Sequence, residues 1–260
     1  MLQPTTLISL FLLAACSSDK TEESGDFESN NDVAQLTLAI TLLDGWSNAS
    51  LEGAELCIEE PVVEDNCYVT DANGVVEWVW SDPKESNFLG RFTMDQYLTT
   101  LYTGRYNDDV AELWQDDIDE NGEVALSYFA FTETSVNLFL NTGGVAQQEG
   151  LGQILFFLGK IDGTGLEDAV ITVTSDSGTE IGTVRYINSL LSALDTTLDS
   201  TSSSGGVSIS NVEPGVHTIT VTSSSYTCQA GFSWNSEIDN VVEIPVEADT
   251  LTNVQMLCTP

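Results

Sequence analysis

Leu51-Glu52-Gly53-Ala54-Glu55-Leu56-Cys57-Ile58 and Leu166-Glu167-Asp168-Ala169-Val170-Ile171-Thr172-Val173 are two copies of one pattern. An Asp-Gly pair precedes each, Asp44-Gly45 in the first and Asp162-Gly163 in the second. A turn and a further apolar segment follow each, Thr70-Asp71-Ala72-Asn73-Gly74-Val75 and Ser204-Gly205-Gly206-Val207. Self-similarity at this spacing points to two structural modules of about 100 residues each. The segments around the repeat have strand composition. Leu36, Leu38, Ile40 and Leu42 alternate with polar residues, the period of a half-buried strand. Val75–Trp80 follows Asn73-Gly74 and Gly122–Phe131 begins at Asn121-Gly122, both hairpin signals. Further strands are expected at 153–158, 169–174, 207–212, 216–222 and 241–246. Two short segments have helical spacing, Asp108–Gln115 and Tyr186–Leu198, and are expected to add at most a turn or two of helix within loops.

Composition bounds the function. Of 260 residues 42% are hydrophobic, enough for a packed core, while 41 Asp and Glu face only 6 Lys and Arg, a net charge of −35. That surface repels phosphate, which excludes nucleic acid as a partner and disfavours electrostatic docking on anionic lipid. Self-repulsion at this charge costs stability and is relieved by dissolved cations.

The chain begins with an apolar run of nine residues, Leu7–Ala15, far short of the roughly 20 that span a bilayer and matching the core of a signal peptide. It ends in Leu13-Ala14-Ala15-Cys16, which resembles a bacterial lipobox, in which the cysteine is acylated before cleavage. The resemblance implies lipidation at Cys16 and a membrane partner through that N-terminal anchor. Ser17 after the cysteine implies delivery to the outer membrane, on its periplasmic or its outer face. Met1–Thr6 departs from the pattern in carrying no Lys or Arg. Residues 16–33 are polar and acidic and read as a flexible tether. The expected division is therefore a signal peptide at 1–15, a tether at 16–33, a first sandwich at 34–142, a linker at 143–152 and a second sandwich at 153–260.

Four cysteines remain for an oxidising compartment, Cys57, Cys67, Cys228 and Cys258, with three possible connectivities. Chain position favours Cys57–Cys67 and Cys228–Cys258; zinc is the competing use, but no Cys-x2-Cys pair is present.

Gly163-Thr164-Gly165-Leu166-Glu167-Asp168-Ala169-Val170-Ile171, followed by Gly206-Val207 and the hairpin Pro214-Gly215-Val216-His217, resembles the carboxypeptidase regulatory-like domain. The first module carries Leu51-Glu52-Gly53-Ala54 and Thr70-Asp71-Ala72-Asn73-Gly74 but lacks the Pro-Gly hairpin. The resemblance implies an all-β protein of two tandem transthyretin-like or immunoglobulin-like β-sandwiches. It also implies a non-catalytic role in binding, spacing or structure at the cell surface.

Chemistry-bearing residues are few. Asp117-Ile118-Asp119-Glu120-Asn121-Gly122 matches the first half of an EF-hand loop, but Tyr128 stands where the bidentate acid belongs. An acidic hairpin turn is the preferred reading; a partial calcium site on Asp116, Asp117, Asp119, Asn121 and Glu123 is the alternative, with Asp71–Gly74 a weaker analogue. His217, the single histidine, has no Gly-x-Ser-x-Gly elbow to serve and reads as a strand residue at the edge of the core. Trp78 and Trp80 share a strand face that suits a sandwich core, with a sugar-stacking platform as the rival use, and Trp46, Trp114 and Trp234 are the tryptophans expected in exposed loops. No catalytic site is expected. The alternative to a passive surface role is a calcium-dependent adhesive or carbohydrate-binding module with a glycan or protein ligand.

Overall fold

The computed structural model describes residues 35–62, 66–81, 87–105, 123–160, 162–232 and 238–260. These form sixteen strands and, among the described residues, one helix. In the first half the strands are β1 (Gln35–Asp44), β2 (Glu55–Glu60), β3 (Cys67–Val69), β4 (Val75–Ser81), β5 (Asn87–Thr93), β6 (Thr100–Arg105) and β7 (Glu123–Ala130). Helix α1 (Glu133–Thr142) leads into the second half. There follow β8 (Gly152–Lys160), β9 (Val170–Ser175), β10 (Thr183–Ile187), β11 (Leu194–Asp195) and β12 (Gly206–Val212). The chain closes with β13 (Gly215–Thr222), β14 (Thr227–Phe232), β15 (Val241–Val246) and β16 (Leu251–Thr259). The architecture is all-β, built from two sandwiches.

Each half repeats one strand plan. In the first, β4-β1-β7 form one layer, with β1 antiparallel to β4 and parallel to β7, and β6-β5-β2-β3 form the other. In the second, β12-β8-β16 repeat the first layer, with β8 antiparallel to β12 and parallel to β16, and β15-β13-β9 repeat the second. The sequence repeat is visible in the hydrogen bonds. Leu42 N–H donates to Gly74 O (2.8 Å) and Leu158 N–H to Gly205 O (3.0 Å); Gly53 N–H donates to Thr70 O (3.1 Å) and Asp168 N–H to Thr201 O (2.9 Å). The Thr70 hydroxyl accepts from Ala54 N–H (3.0 Å) and the Thr201 hydroxyl from Ala169 N–H (2.9 Å). Gly74 and Gly205 hold φ of 76° and 65°, where a Cβ would lie 2.7 Å from Leu42 O and 2.1 Å from Leu158 O. Only glycine combines that backbone with that approach.

Alternation decides which residues enter each core. In the first, Leu36, Leu38, Ile40 and Leu42 of β1 meet Val76, Trp78 and Trp80 of β4 on one layer and Leu56, Ile58, Phe88, Phe92 and Tyr102 on the other. In the second, Ile154, Phe156, Leu158, Val207, Ile209, Val254 and Met256 face Ile171, Val173, Ile219, Val221, Val242 and Ile244. The two modules join edge to edge. Leu251, Thr252 and Asn253 of β16 pair in parallel with Thr100, Leu101 and Tyr102 of β6, so one layer of each sandwich merges into a ten-stranded sheet.

Two local expectations are corrected. Tyr186–Leu198 is not helical: it completes β10, turns at 188–193 and forms β11, because Tyr186 and Ile187 are drawn into the core beside β12. Conversely, a helix stands at Glu133–Thr142, beyond the expected β7. Asp108–Gln115 lies outside the described residues.

Candidate functional site

The module junction holds two concavities, and α1 stands between them. Thr132 caps the helix in extended backbone (φ −66°, ψ 147°), its hydroxyl accepting from Ser135 N–H at 3.2 Å, and Glu133 in the first turn suits the positive end of the helix dipole. Val136 and Leu140, four residues apart, are buried against the second face of β8. This explains why β8 is buried on both sides: its even residues enter the second sandwich, while Leu155 and Phe157 turn towards α1.

Between α1 and β8 lies an apolar cavity of about 70 Å³, walled by Trp46, Phe131, Phe139, Leu140, Leu155, Phe157, Ile187 and Leu251. Trp46 meets Phe131 and Phe139 edge-on, each at 6.1 Å between ring centres, and its indole N–H is buried without a hydrogen-bond partner. The polar lining is Gln153 and Ser208; Gln153 is occupied, its Oε1 accepting from Asn211 N–H at 3.3 Å. Such a cavity accepts an apolar group and offers it little to hydrogen-bond.

Glu133 and Asn137, on a different face of α1, border a polar cleft of about 520 Å³ with Tyr97, Leu98, Thr99, Gln147, Glu149 and Asp249. Its rim is acidic. Asp249 also accepts from Gly150 N–H at 2.8 Å, and Asn211 takes Gln148 N–H and donates to Ala146 O, each at 3.0 Å. The residues between α1 and β8, linker-like in composition, are thus bonded to the second module. Nearby, Tyr97 donates to Asp44 Oδ2 at 2.9 Å, and burial together with that carboxylate pushes its hydroxyl up to about 12. Burial pushes the Asp44 carboxyl up, but bonds from Ser47, Tyr97 and Trp46 outweigh it and hold the group below the usual range.

Across the seam, Arg91 of β5 reaches both modules. Its guanidinium donates to Glu59 at 2.5 and 3.1 Å and to Glu247 at 2.6 Å, and these bonds raise its affinity for the proton.

The residues singled out by sequence are dispersed. Cys57 is bonded to Cys67 and Cys228 to Cys258, each pair directly opposed on neighbouring strands. Glu55, Cys57 and Cys67 form the one grouping of three metal-capable side chains among the described residues, and the disulfide leaves it a single carboxylate. Trp78 and Trp80 stack at 5.8 Å inside the first core, at 3% and 1% exposure, so no sugar platform exists on that face. Trp46, expected in an exposed loop, is half-buried in the cavity wall because Phe131 and Phe139 pack on it. His217 is buried at 5% exposure with Nε2 2.6 Å from Glu213 O, bracing the Pro214-Gly215 turn. The Asp71 carboxylate is taken by its own turn, accepting from Asn73 N–H (2.9 Å) and Val75 N–H (2.8 Å). Cys16, Asp116, Asp117, Asp119, Asn121, Trp114 and Trp234 lie outside the described residues, as does the side chain of Glu123. The junction itself was missed, although Thr132, Val136 and Leu140 carry a cap-and-stripe signal.

No family model matches the chain, and no curated protein sequence does. Solved structures to which the chain shows similarity include the Bacillus anthracis TIE protein, 16% identical, with a TM-score of 0.28 over 87% of this chain and 34% of that one. They also include the shaft pilin SpaA from Lactobacillus rhamnosus GG, 10% identical, TM-score 0.25, covering 87% of this chain and 98% of that one. A third is GBS52, the minor pilin of Streptococcus agalactiae, 11% identical, TM-score 0.27, covering 86% and 97%. The chain spans about a third of the length of the first of these.

Proposed function

We propose that this is a lipid-anchored protein of the bacterial cell surface with a structural or adhesive role, made of two carboxypeptidase regulatory-like sandwiches, and that it performs no catalysis. The observation that carries the reading is the seam. The β6–β16 pairing and the Arg91 bridge fasten two sandwiches into one continuous sheet, so that a body attached at one end presents its far surfaces at a fixed distance. The lipobox-like Leu13-Ala14-Ala15-Cys16 supplies the attachment, and the acidic tether lifts the body from the headgroups. The outer membrane is the expected address.

Expression of the full chain with an alkyne fatty acid tests the reading. Labelled protein in the outer-membrane fraction, with the Cys16→Ser variant unlabelled and soluble, is the expected result. A Cys16→Ser chain that stays in the membrane fraction overturns the anchor. Protease added to intact cells reports which face it occupies.

A further inference from the structure

We infer that each sandwich is a tension-bearing clamp, loaded in shear between the strand on which the chain enters and the strand on which it leaves. The topology of both modules places these strands side by side. The chain enters the first module on β1 and leaves it on β7, and these are parallel neighbours in register from Thr37 opposite Glu123 to Asp44 opposite Ala130. It enters the second on β8 and leaves on β16, again parallel neighbours, from Leu251 opposite Gln153 to Cys258 opposite Lys160.

Tension between the two ends of the chain therefore draws β1 back towards its N-terminus and β7 forward towards its C-terminus. Parallel neighbours drawn that way slide lengthwise past each other. The ladder bonds between them are strained together and must fail together, although each is weak alone. An antiparallel pair pulled apart at adjacent ends loses its bonds one after another. Gln35 and Ser81, facing each other at one end of the β1–β4 pair, offer that contrasting geometry in the same molecule.

The two clamps differ in reinforcement. Among the described residues, β7 lies at the border of the first sheet, paired with β1. β16 is flanked by β8 on one side and by β6 and β14 on the other, and Cys228–Cys258 fastens it covalently to β14. The first module yields first, and the second keeps the segment inside its disulfide concealed.

That the load arrives through Cys16 rests on the anchorage proposed above; the clamp itself does not. Single-molecule stretching of the full, oxidised, unlipidated chain, held by the Cys16 thiol and a C-terminal tag, is the test. Two separate ruptures are expected, both at forces several-fold above those for the Ser81→Cys chain held at positions 16 and 81. Reduction should lengthen the later rupture by about 100 Å, the extended length of the chain inside Cys228–Cys258, whose cysteines are 30 positions apart. Rupture at the same low force in both geometries overturns the clamp, as does the module with Cys228–Cys258 yielding first. Failure of the anchor alone leaves these forces unchanged and shows instead in the fractionation of the Cys16→Ser chain.

Discussion

The first sandwich fills its interior with rings, Trp78, Trp80, Phe88, Phe92 and Tyr102, where the second uses mainly Ile and Val. Around these unlike cores the frame is the same: the Thr70 and Thr201 hydroxyls, the Gly74 and Gly205 turns and the parallel pairing of first and last strands recur position by position. The difference teaches that backbone hydrogen bonds and two glycines define the module, while the core only has to fill the space they enclose. Substitutions that touch the frame should therefore act alike in both modules, scaled by local crowding.

Gly205→Ala and Gly74→Ala probe that most sharply. Both force a side chain into left-handed backbone, but the new Cβ lies 2.1 Å from Leu158 O in one and 2.7 Å from Leu42 O in the other. Expected losses are about 4 kcal/mol for Gly205→Ala and about 2–3 kcal/mol for Gly74→Ala, read from denaturant unfolding. Equal losses would show that φ, not crowding, dominates. The disulfides come next. With cysteines 30 and 10 positions apart, Cys228→Ala/Cys258→Ala should cost about 4 kcal/mol and Cys57→Ala/Cys67→Ala about 3 kcal/mol in the loop-entropy picture. Calorimetry of the two variants, resolved into module transitions, checks which half each one weakens. Arg91→Ala should cost about 1 kcal/mol at low salt and less in molar NaCl, because its partners are part-exposed, with Glu247 at 42%. Its mark is lost coupling between the two module transitions.

The smallest effect concerns acid. The Asp44 carboxyl is held below its unfolded value of about 3.9, so its contribution is present above that pH and disappears as pH falls through the folded value. Asp162, the equivalent residue of the second module, is lowered in the same direction by Thr164. Protonation of the other acids on a chain of net charge −35 relieves repulsion over the same range. The net melting curve should therefore rise on mild acidification, then fall below about pH 4, with Asp44→Asn flattening the fall. A melting temperature unchanged from low to molar NaCl would remove the repulsion from the account.

The duplication and the β-sandwich class were legible because period-two alternation in β1, β4 and β15 coincides with one buried face. The cysteine pairs followed from chain position. The junction was not legible for a physical reason. β8 and β12 are buried on both faces, so their sequences do not announce that a helix covers the second one. Trp46 likewise reads as a loop residue until the pairing of Asp44 with Ala130, far along the chain, brings Phe131 and Phe139 to it.

The strand that welds the modules is also the last of the sixteen in chain order. Until Leu251–Thr259 arrives, β8 lacks its parallel neighbour and β6 presents an open edge. A chain emerging from its N-terminus thus carries two unpaired edges through synthesis, the condition under which strands from different molecules pair. The surplus of negative charge, costly to the finished fold, repels one half-made copy from another until Leu251–Thr259 closes the sheet.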